Sequence, residues 1–400
     1  MAEAVRLALV GCGGIAGAHV RGYRDLFSRG CREFTVTACC DPNAENAEKR
    51  AQEITEFQGT RPALFAGVDE LVAARVADAA DVCTPHAFHH STAIPLMAGG
   101  LHTIIEKPMG ITIKASQAII AAAEKHGRVL AYGENIRRYL PPRACAWAIN
   151  KRKLIGDMLL VNVHSVDQGP FDYDNPAFKW RGLKLLTGGG MIMDSGAHLA
   201  DMVQVLYGEP DEIYCTMATY DKRMVPGAPV LGDQPVDVED TWHVVIRFKS
   251  GLHLTWTYSR WLYGEKVRVA NHYGSAGTMQ ALGYPFHPFE GGGIATLADG
   301  KTVSAGRIEA EYALTLSDAE KARLFPYGST DGFAIEVWDF VNAVATGRKP
   351  EMDGTDGLRA KALSEACFES SVAGRTVKYA DVLEGKINAF QKPIDDYWGI

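Results

Sequence analysis

Val10-Gly11-Cys12-Gly13-Gly14-Ile15-Ala16-Gly17 is the stretch that decides the fold of the opening part of this chain. An apolar run, Val5 to Val10, drops into Gly11-x-Gly13-x-x-Ala16, and a helical pattern follows from Ala16 to Phe27. Strand, glycine turn and helix in that order make a dinucleotide-binding turn. Gly11 permits the tight turn, Gly13 lets the main chain approach a pyrophosphate, and Ala16 allows close helix packing. The amides at the helix start, around Gly14 and Ile15, face negative phosphates with the helix dipole behind them.

Outward from that turn, short apolar runs alternate with helical stretches. Phe34 to Cys40, Ala79 to Thr84, Leu101 to Glu106 and Val129 to Tyr132 read as strands; Asn43 to Phe57, Val68 to Arg75, Ser91 to Ala98 and Thr112 to His126 read as helices. Strict alternation implies an α/β, doubly wound parallel sheet, a Rossmann domain over residues 1–133. Asp41 ends the second strand, where a carboxylate accepts hydrogen bonds from both adenosine ribose hydroxyls and repels a 2'-phosphate, so NAD is expected over NADP. The competing reading makes Asp41-Pro42-Asn43 a turn and helix cap.

The strand Leu101 to Glu106 runs into Glu106-Lys107-Pro108. Ligands of open parallel sheets bind beyond the carboxyl ends of strands, and Lys107 stands there, pushed out of helical geometry by Pro108. An ammonium in that place orients and polarises a carbinol oxygen; the alternative is a surface lysine at a strand end.

After Tyr132 the texture changes. A helix around Pro142 to Lys151 leads to strands at Met158 to Val166, Thr241 to Phe248 and Leu252 to Ser259, the last two joined by a hairpin turn at Lys249-Ser250-Gly251. The expectation is a second, α+β domain over residues 134–400, built on a large, mostly antiparallel sheet with one open face that serves substrate or another subunit. Tyr263 to Thr330, rich in Gly and Pro, reads as loops with short strands, and helices return at Gly332 to Val344 and Leu358 to Ser371. Within Gly188 to Asp201, a helix starting near Asp194 places Asp194, His198 and Asp201 at i, i+4 and i+7 on one face. Histidine titrates near neutrality and takes a hydroxyl proton as hydride leaves carbon, while a carboxylate raises its basicity. The plainer reading has Asp194 as a helix cap and His198 as a core histidine.

Composition narrows the partners. The 400 residues are 47% apolar and 22% charged with a formal net charge of -7, which offers no footprint for nucleic acid or an anionic membrane. No signal segment or membrane-spanning run stands out, so a cytoplasmic location is expected. Eight cysteines without C-x-x-C pairs read as buried thiols rather than disulfides or a zinc site. No metal is expected at His86-x-x-His89-His90 either, because no acidic cluster accompanies it.

Taken in order, Gly11-x-Gly13-x-x-Ala16, Asp41, Thr84-Pro85, Glu106-Lys107-Pro108, Glu134-Asn135-Ile136-Arg137-Arg138-Tyr139 and Asp194-x-x-x-His198-x-x-Asp201 resemble the glucose-fructose oxidoreductase, inositol dehydrogenase and MocA family, over nearly the whole chain. Val238-Glu239-Asp240-Thr241, Tyr273 to Thr278 and Glu369-Ser370 agree. The resemblance implies that Lys107, Asp194 and His198 form the catalytic group, that Glu106 sits near the nicotinamide ribose, and that Thr84, Pro85, His86 and His89 line the cofactor groove with Asn135. His86 stands where the family frequently has asparagine. For substrate, the candidates are Arg137, Tyr139, Asp167, Tyr173, Lys179, Trp180 and Arg181 beside Asp194 and His198. The implied substrate is a sugar, sugar acid, glycoside or cyclitol, and the implied activity is hydride transfer with NAD. Redox-neutral glycosidase or epimerase chemistry with retained NAD, and a non-enzymatic NAD sensor, stay open. In the loop Asp167 to Leu186, aromatic rings suit a sugar face, and Lys179, Arg181 and Lys184 with Arg137 and Arg138 either bind an anionic group or pair with Asp172 and Asp174. A sheet with one uncovered face implies a homodimer or homotetramer.

Overall fold

In a computed structural model that describes residues 3–167, 169, 171–262 and 264–400, the chain divides into two compact units. The first holds Met1–Ile111, Ala115–Arg138 and Ser317–Gly357; the second holds Thr112–Lys114, Tyr139–Leu316 and Leu358–Ile400. Gln168 and Pro170 of the expected substrate loop, and Tyr263 at the head of the expected loop region, lie outside the described residues.

In the first unit, β1 (Val5–Val10), β2 (Phe34–Cys40), β3 (Ala63–Phe65), β4 (Ala79–Val82), β5 (His102–Glu106) and β6 (Leu130–Gly133) form a parallel sheet in the order β3-β2-β1-β4-β5-β6. Helices α1 (Ala16–Ser28), α2 (Ala44–Gln58), α3 (Val68–Ala74), α4 (His89–Ala98) and α5 (Ile113–His126) connect the strands. β1 and β4 are almost wholly buried, which is why they read as unbroken apolar runs. β3 escaped the sequence reading because it spans three partly exposed residues with no periodicity.

The expected division at residues 133 and 134 differs from the units found. The first unit runs to Arg138 and takes back the segment Ser317–Gly357. The cause is the helix Gly332–Thr346, whose Ala334, Val337, Phe340 and Val341 belong to the same buried cluster as Leu7, Val20 and Leu26. Gly22 of α1 makes the contact possible, since a Cβ there meets the Ala334 amide nitrogen at 2.8 Å.

The second unit carries a sheet ordered Thr302–Val303, Gly293–Leu297, Gly277–Ala281, Val267–Gly274, Met158–Val166, His253–Ser259, Thr241–Phe248, Pro210–Ala218, Val377–Lys378. Its pairs are antiparallel except Met158–Val166 with His253–Ser259. On Thr241–Phe248, Trp242, Val244, Ile246 and Phe248 are buried while His243, Val245 and Arg247 are exposed. One face therefore packs on a core that includes Trp242, Trp256, Tyr258 and Phe286, and the other, with Leu160, Tyr214 and Val245, is open.

After Tyr263 the expected loops with short strands are met in part by Gly277–Ala281, Gly293–Leu297 and Thr302–Val303, and corrected elsewhere: the longer strand Val267–Gly274 pairs along Met158–Val166, and helices Ala305–Thr315 and Asp318–Leu324 follow. Polar residues inside the strand, among them Asn271 and the buried His272, and Gly306 inside the helix had masked both periods. An antiparallel ribbon, Met224–Ala228 with Gly232–Pro235, was also missed.

Candidate active site

β1 delivers the chain to Gly11 at φ +83°, where a Cβ meets the Thr84 nitrogen at 2.7 Å, so the turn admits glycine alone. At Gly13 and Gly14 a Cβ meets nothing within 4 Å, leaving open space beside the start of α1. Ala16 is fully buried against the sheet and Ile15 is partly exposed. The Asp41 carboxylate accepts the Cys12 amide at 2.7 Å through Oδ2 and the Asn43 amide at 2.7 Å through Oδ1. Asn43, not Asp41, caps α2, by accepting from the Glu45 and Asn46 amides. Asp41 thus ties the glycine turn to the end of β2, and each oxygen keeps a second lone pair for a ribose hydroxyl.

One residue of this end had no signal in the sequence. Arg50 reaches from α2 to donate to the carbonyls of Cys12 at 3.2 Å and Gly13 at 2.8 Å, bracing the turn from beneath.

Past β4, the hydroxyl of Thr84 is buried without a hydrogen-bond partner among the described residues. An orphaned hydroxyl at a strand's carboxyl end, beside backbone left open at Gly13 and Gly14, fits a dinucleotide lying along this edge. Pro85 is partly exposed and His86 buried. His89 is fully buried, its Nδ1 2.8 Å from the Pro108 carbonyl and its Nε2 2.9 Å from the Thr84 carbonyl. It is a clamp between two strand ends rather than a groove-lining group, and burial pushes its ring toward the neutral form.

At the end of β5 the Lys107–Pro108 bond is cis, and the Lys107 amide donates to Gly133 O at 3.2 Å and to Glu106 Oε2 at 2.9 Å. The other Glu106 oxygen lies 3.0 Å from His19 Nε2, so its carboxylate is engaged inside the unit. Asn135 is buried and Arg137 lies 3.6 Å from Asp356. Arg138, expected among the anion binders, is fully buried, bonded to the Glu134 carbonyl and paired with Asp339 and Glu351; it is a structural residue. Among the described residues, two buried groups have ligand-like spacing, His19 with Asp81 and Cys83, and His19 with Glu106 and Glu336; neither involves His86, His89 or His90.

In the second unit the helix expected near Asp194 begins at Gly196 and runs to Tyr207. Asp194 lies on the preceding turn, its amide bonded to the Gly190 carbonyl at 3.0 Å. Glycine is forced here by neighbours: a Cβ on Gly190 meets the Glu239 carbonyl at 2.4 Å, and one on Gly196 meets Trp256 at 2.8 Å. Buried Glu239 holds the turn by accepting the Gly190 amide at 2.6 Å and the Ile192 amide at 2.9 Å. The Asp194 carboxylate accepts from Arg181 Nε at 2.7 Å, so Arg181 is an ion-pair partner of the candidate catalytic acid, not of Asp172 or Asp174. His198 is buried, its ring 4.8 Å from and edge-on to that of His287.

Around them, Arg181 stacks over Trp180 at 4.6 Å and Phe178 at 5.2 Å, and Lys184 over Phe390 at 4.9 Å. Lys179 is half-buried at the end of a helical turn, and Tyr139 half-buried at the start of Leu140–Asn150. Tyr173 is buried beneath Arg223. Asp167 is committed to Arg268 at 2.7 Å and to the Tyr284 hydroxyl at 3.2 Å. Phe171, Tyr173, Met191, Glu239, Arg260 and Trp261 line a recess in this unit. All eight cysteines are buried and free. Among the described residues, no helix is long and apolar enough to cross a membrane.

Comparison with known proteins agrees with this fold. Residues 5–134 match the oxidoreductase family, NAD-binding Rossmann fold, and residues 145–280 match the GFO/IDH/MocA C-terminal domain. A levoglucosan dehydrogenase of Pseudarthrobacter phenanthrenivorans is 26% identical over 308 residues, covering 73% of this chain and 77% of that one. An inositol 2-dehydrogenase of Rhizobium meliloti is 26% identical over 381 residues, covering 94% and 99%. The solved complex of levoglucosan dehydrogenase with NADH and levoglucosan has the same fold, with a TM-score of 0.74 at 21% identity over 94% of this chain and 99% of that one.

Proposed function

Because this chain belongs to the GFO/IDH/MocA oxidoreductase family, we propose that it is an NAD-dependent dehydrogenase that moves a hydride to or from a secondary alcohol of a sugar, sugar acid, glycoside or cyclitol. The observation that carries the reading is Lys107, whose main chain is fixed at the carboxyl end of β5 in the unit that holds the glycine turn.

The glycine turn, Asp41, Thr84 and Asn135 hold NAD, which when bound supplies the hydride acceptor or donor. Lys107 orients the carbinol oxygen with its ammonium. A ring nitrogen of His198 takes the hydroxyl proton, and the carboxylate of Asp194 favours the resulting imidazolium. Arg181, by occupying Asp194 Oδ2, tempers that carboxylate and fixes its direction. Arg137, Tyr139, Lys179 and Trp180 supply further substrate contacts.

Mass spectrometry of reactions with a panel of neutral and anionic sugars, cyclitols and glycosides tests this. One secondary carbon oxidised per NADH released is expected. Hydrolysis or epimerisation without net NADH replaces the reading by a redox-neutral one, and NAD binding with no turnover across the panel replaces it by a sensor.

The open sheet face, with Leu160, Tyr214 and Val245 exposed on it, supports a further part of the proposal: two copies pair through this face, giving a homodimer or homotetramer.

A further inference from the structure

A buried ionic chain runs through the first unit beneath the lysine turn. His19 lies in the first part of α1, Asp81 in β4, and Glu106 ends β5; His19 and Asp81 are fully buried and Glu106 nearly so. His19 Nδ1 is 2.8 Å from Asp81 Oδ2 and its Nε2 is 3.0 Å from Glu106 Oε1. Both ring nitrogens therefore face carboxylate oxygens, and a neutral imidazole has a single N–H to share between them. Each carboxylate also accepts from a second donor. Asp81 accepts the Tyr23 hydroxyl, and Glu106 accepts the Lys107 amide. The second proton consequently belongs on the ring.

We propose that His19 is a positioning residue, an imidazolium clamped between Asp81 and Glu106 that fixes the Lys107 turn to the helix opening the dinucleotide site. The inference rests on the reading of Lys107 as catalytic. The other groups facing the ring agree with the assignment. Glu336, from the helix Gly332–Thr346, brings Oε1 to 3.7 Å of Nε2; burial keeps it neutral, and neither of its oxygens has a hydrogen-bond partner among the described residues. Cys83 donates toward Asp81 Oδ1 at 3.6 Å, and burial holds its thiol protonated. Burial is the largest single influence and opposes charge on His19, but Asp81 and Cys83 beside it together more than offset that and hold its pKa well above the ordinary histidine value. Without the ring charge, two buried carboxylates lose their shared counter-ion, and the grip of Glu106 on the Lys107 amide loosens.

The test uses the full-length protein with NAD bound. Nitrogen-15 NMR of labelled histidine should show one ring with both nitrogens protonated at a pH where the rest are neutral, and His19→Gln should delete that signal. A neutral His19 ring at pH 7 overturns the proposal, as does a stoichiometric divalent metal in the purified protein, because the ring is then a neutral ligand. His19→Gln keeps one donor and loses the charge. It should lower kcat ~10- to 100-fold and leave NAD affinity and sugar KM within about twofold, since a fully buried ring touches neither ligand. Unchanged kcat overturns it. Should His19→Gln not fold, Asp81→Asn serves: the ring's titration midpoint should fall by roughly one to three pH units, and an unmoved midpoint overturns the clamp. The two readings fail separately. A charged ring with Lys107→Ala fully active removes the catalytic role of Lys107 and leaves the ion chain. A neutral ring with Lys107→Ala inactive removes the clamp alone.

Discussion

Arg181 donates from Nε to Asp194 Oδ2 at 2.7 Å while its guanidinium plane lies over Trp180. The carboxylate expected to assist His198 is thus shared with a cation from a separate short turn, and the rings under the guanidinium hold it in place. If Asp194 acts through its charge, the two residues are energetically coupled. Arg181→Gln and Asp194→Asn should each reduce kcat/KM, and the double variant should lose less than their sum, with a coupling of roughly 0.5–3 kcal/mol. Additive losses would separate Arg181 from the acid.

His198→Ala should reduce turnover ~10²- to 10⁴-fold with NAD affinity unchanged, since general-base loss acts on the chemical step. Lys107→Ala should be comparably severe, and Lys107→Arg should not restore activity, because a planar guanidinium cannot place one donor where an ammonium stood. Stopped-flow detection of enzyme-bound NADH reads both. A folded His198→Ala protein transferring hydride at the native rate removes the assignment.

Asp41→Ala should weaken NAD more than NADP, because the charge that disfavours a 2'-phosphate goes with the ribose contacts. Since Asp41 also accepts the Cys12 and Asn43 amides, some loss of affinity for both cofactors is expected. An unchanged NAD-to-NADP ratio in titration calorimetry reduces Asp41 to the loop tie it visibly is.

Burial pushes the Glu239 carboxyl up from 4.5 to about 7, against the pull of the Ile192 and Gly190 amides. Between those values the folded chain holds a proton that the unfolded chain has released. The contribution of Glu239 is therefore complete below about pH 4.5 and lost as pH rises through about 7. Tm should fall across that window, and Glu239→Gln should flatten part of the decline. Glu365, raised to about 7 by the same cause, keeps its share in both proteins, so identical slopes would assign the decline elsewhere.

Val245→Glu places a charge in the middle of the open sheet face. Light scattering should find an oligomer for the native chain and a smaller species for the variant. A native monomer at micromolar concentration removes the pairing.

Where burial was uniform, the sequence was easy to read: β1, β2, β4 and β5 came out within a residue or two because their side chains face a covered sheet. Val267–Gly274 hid because its buried side includes His272, satisfied by the Tyr207 hydroxyl and the Met279 carbonyl, so polarity there says nothing of exposure. Lys107 and His198 were visible from their places at a strand end and in a helix. Arg50, the hold of Glu239 on the glycine turn and the pairing of Arg181 with Asp194 were not, since each acts on main chain or side chains brought near by folding alone. His19 looked like one more residue of the helix after the glycine turn; only Asp81 and Glu106 on either side of its ring give it a role.

The close approach of Gly22 to Ala334 also bears on the order in which this protein is made. The ribosome completes all six strands of the first sheet long before it reaches the helix Gly332–Thr346. Until then, the flank of α1 that this helix covers stays wet, together with the pockets for Val337, Phe340 and Val341, each worth roughly 1.5–3 kcal/mol once filled. The nucleotide-binding half is consequently not a cassette to be cut at Arg138 and grafted elsewhere. It closes on itself only after Tyr139–Leu316 of the second unit has been translated, which makes a helix encoded far downstream a condition for a stable cofactor site at the chain's beginning.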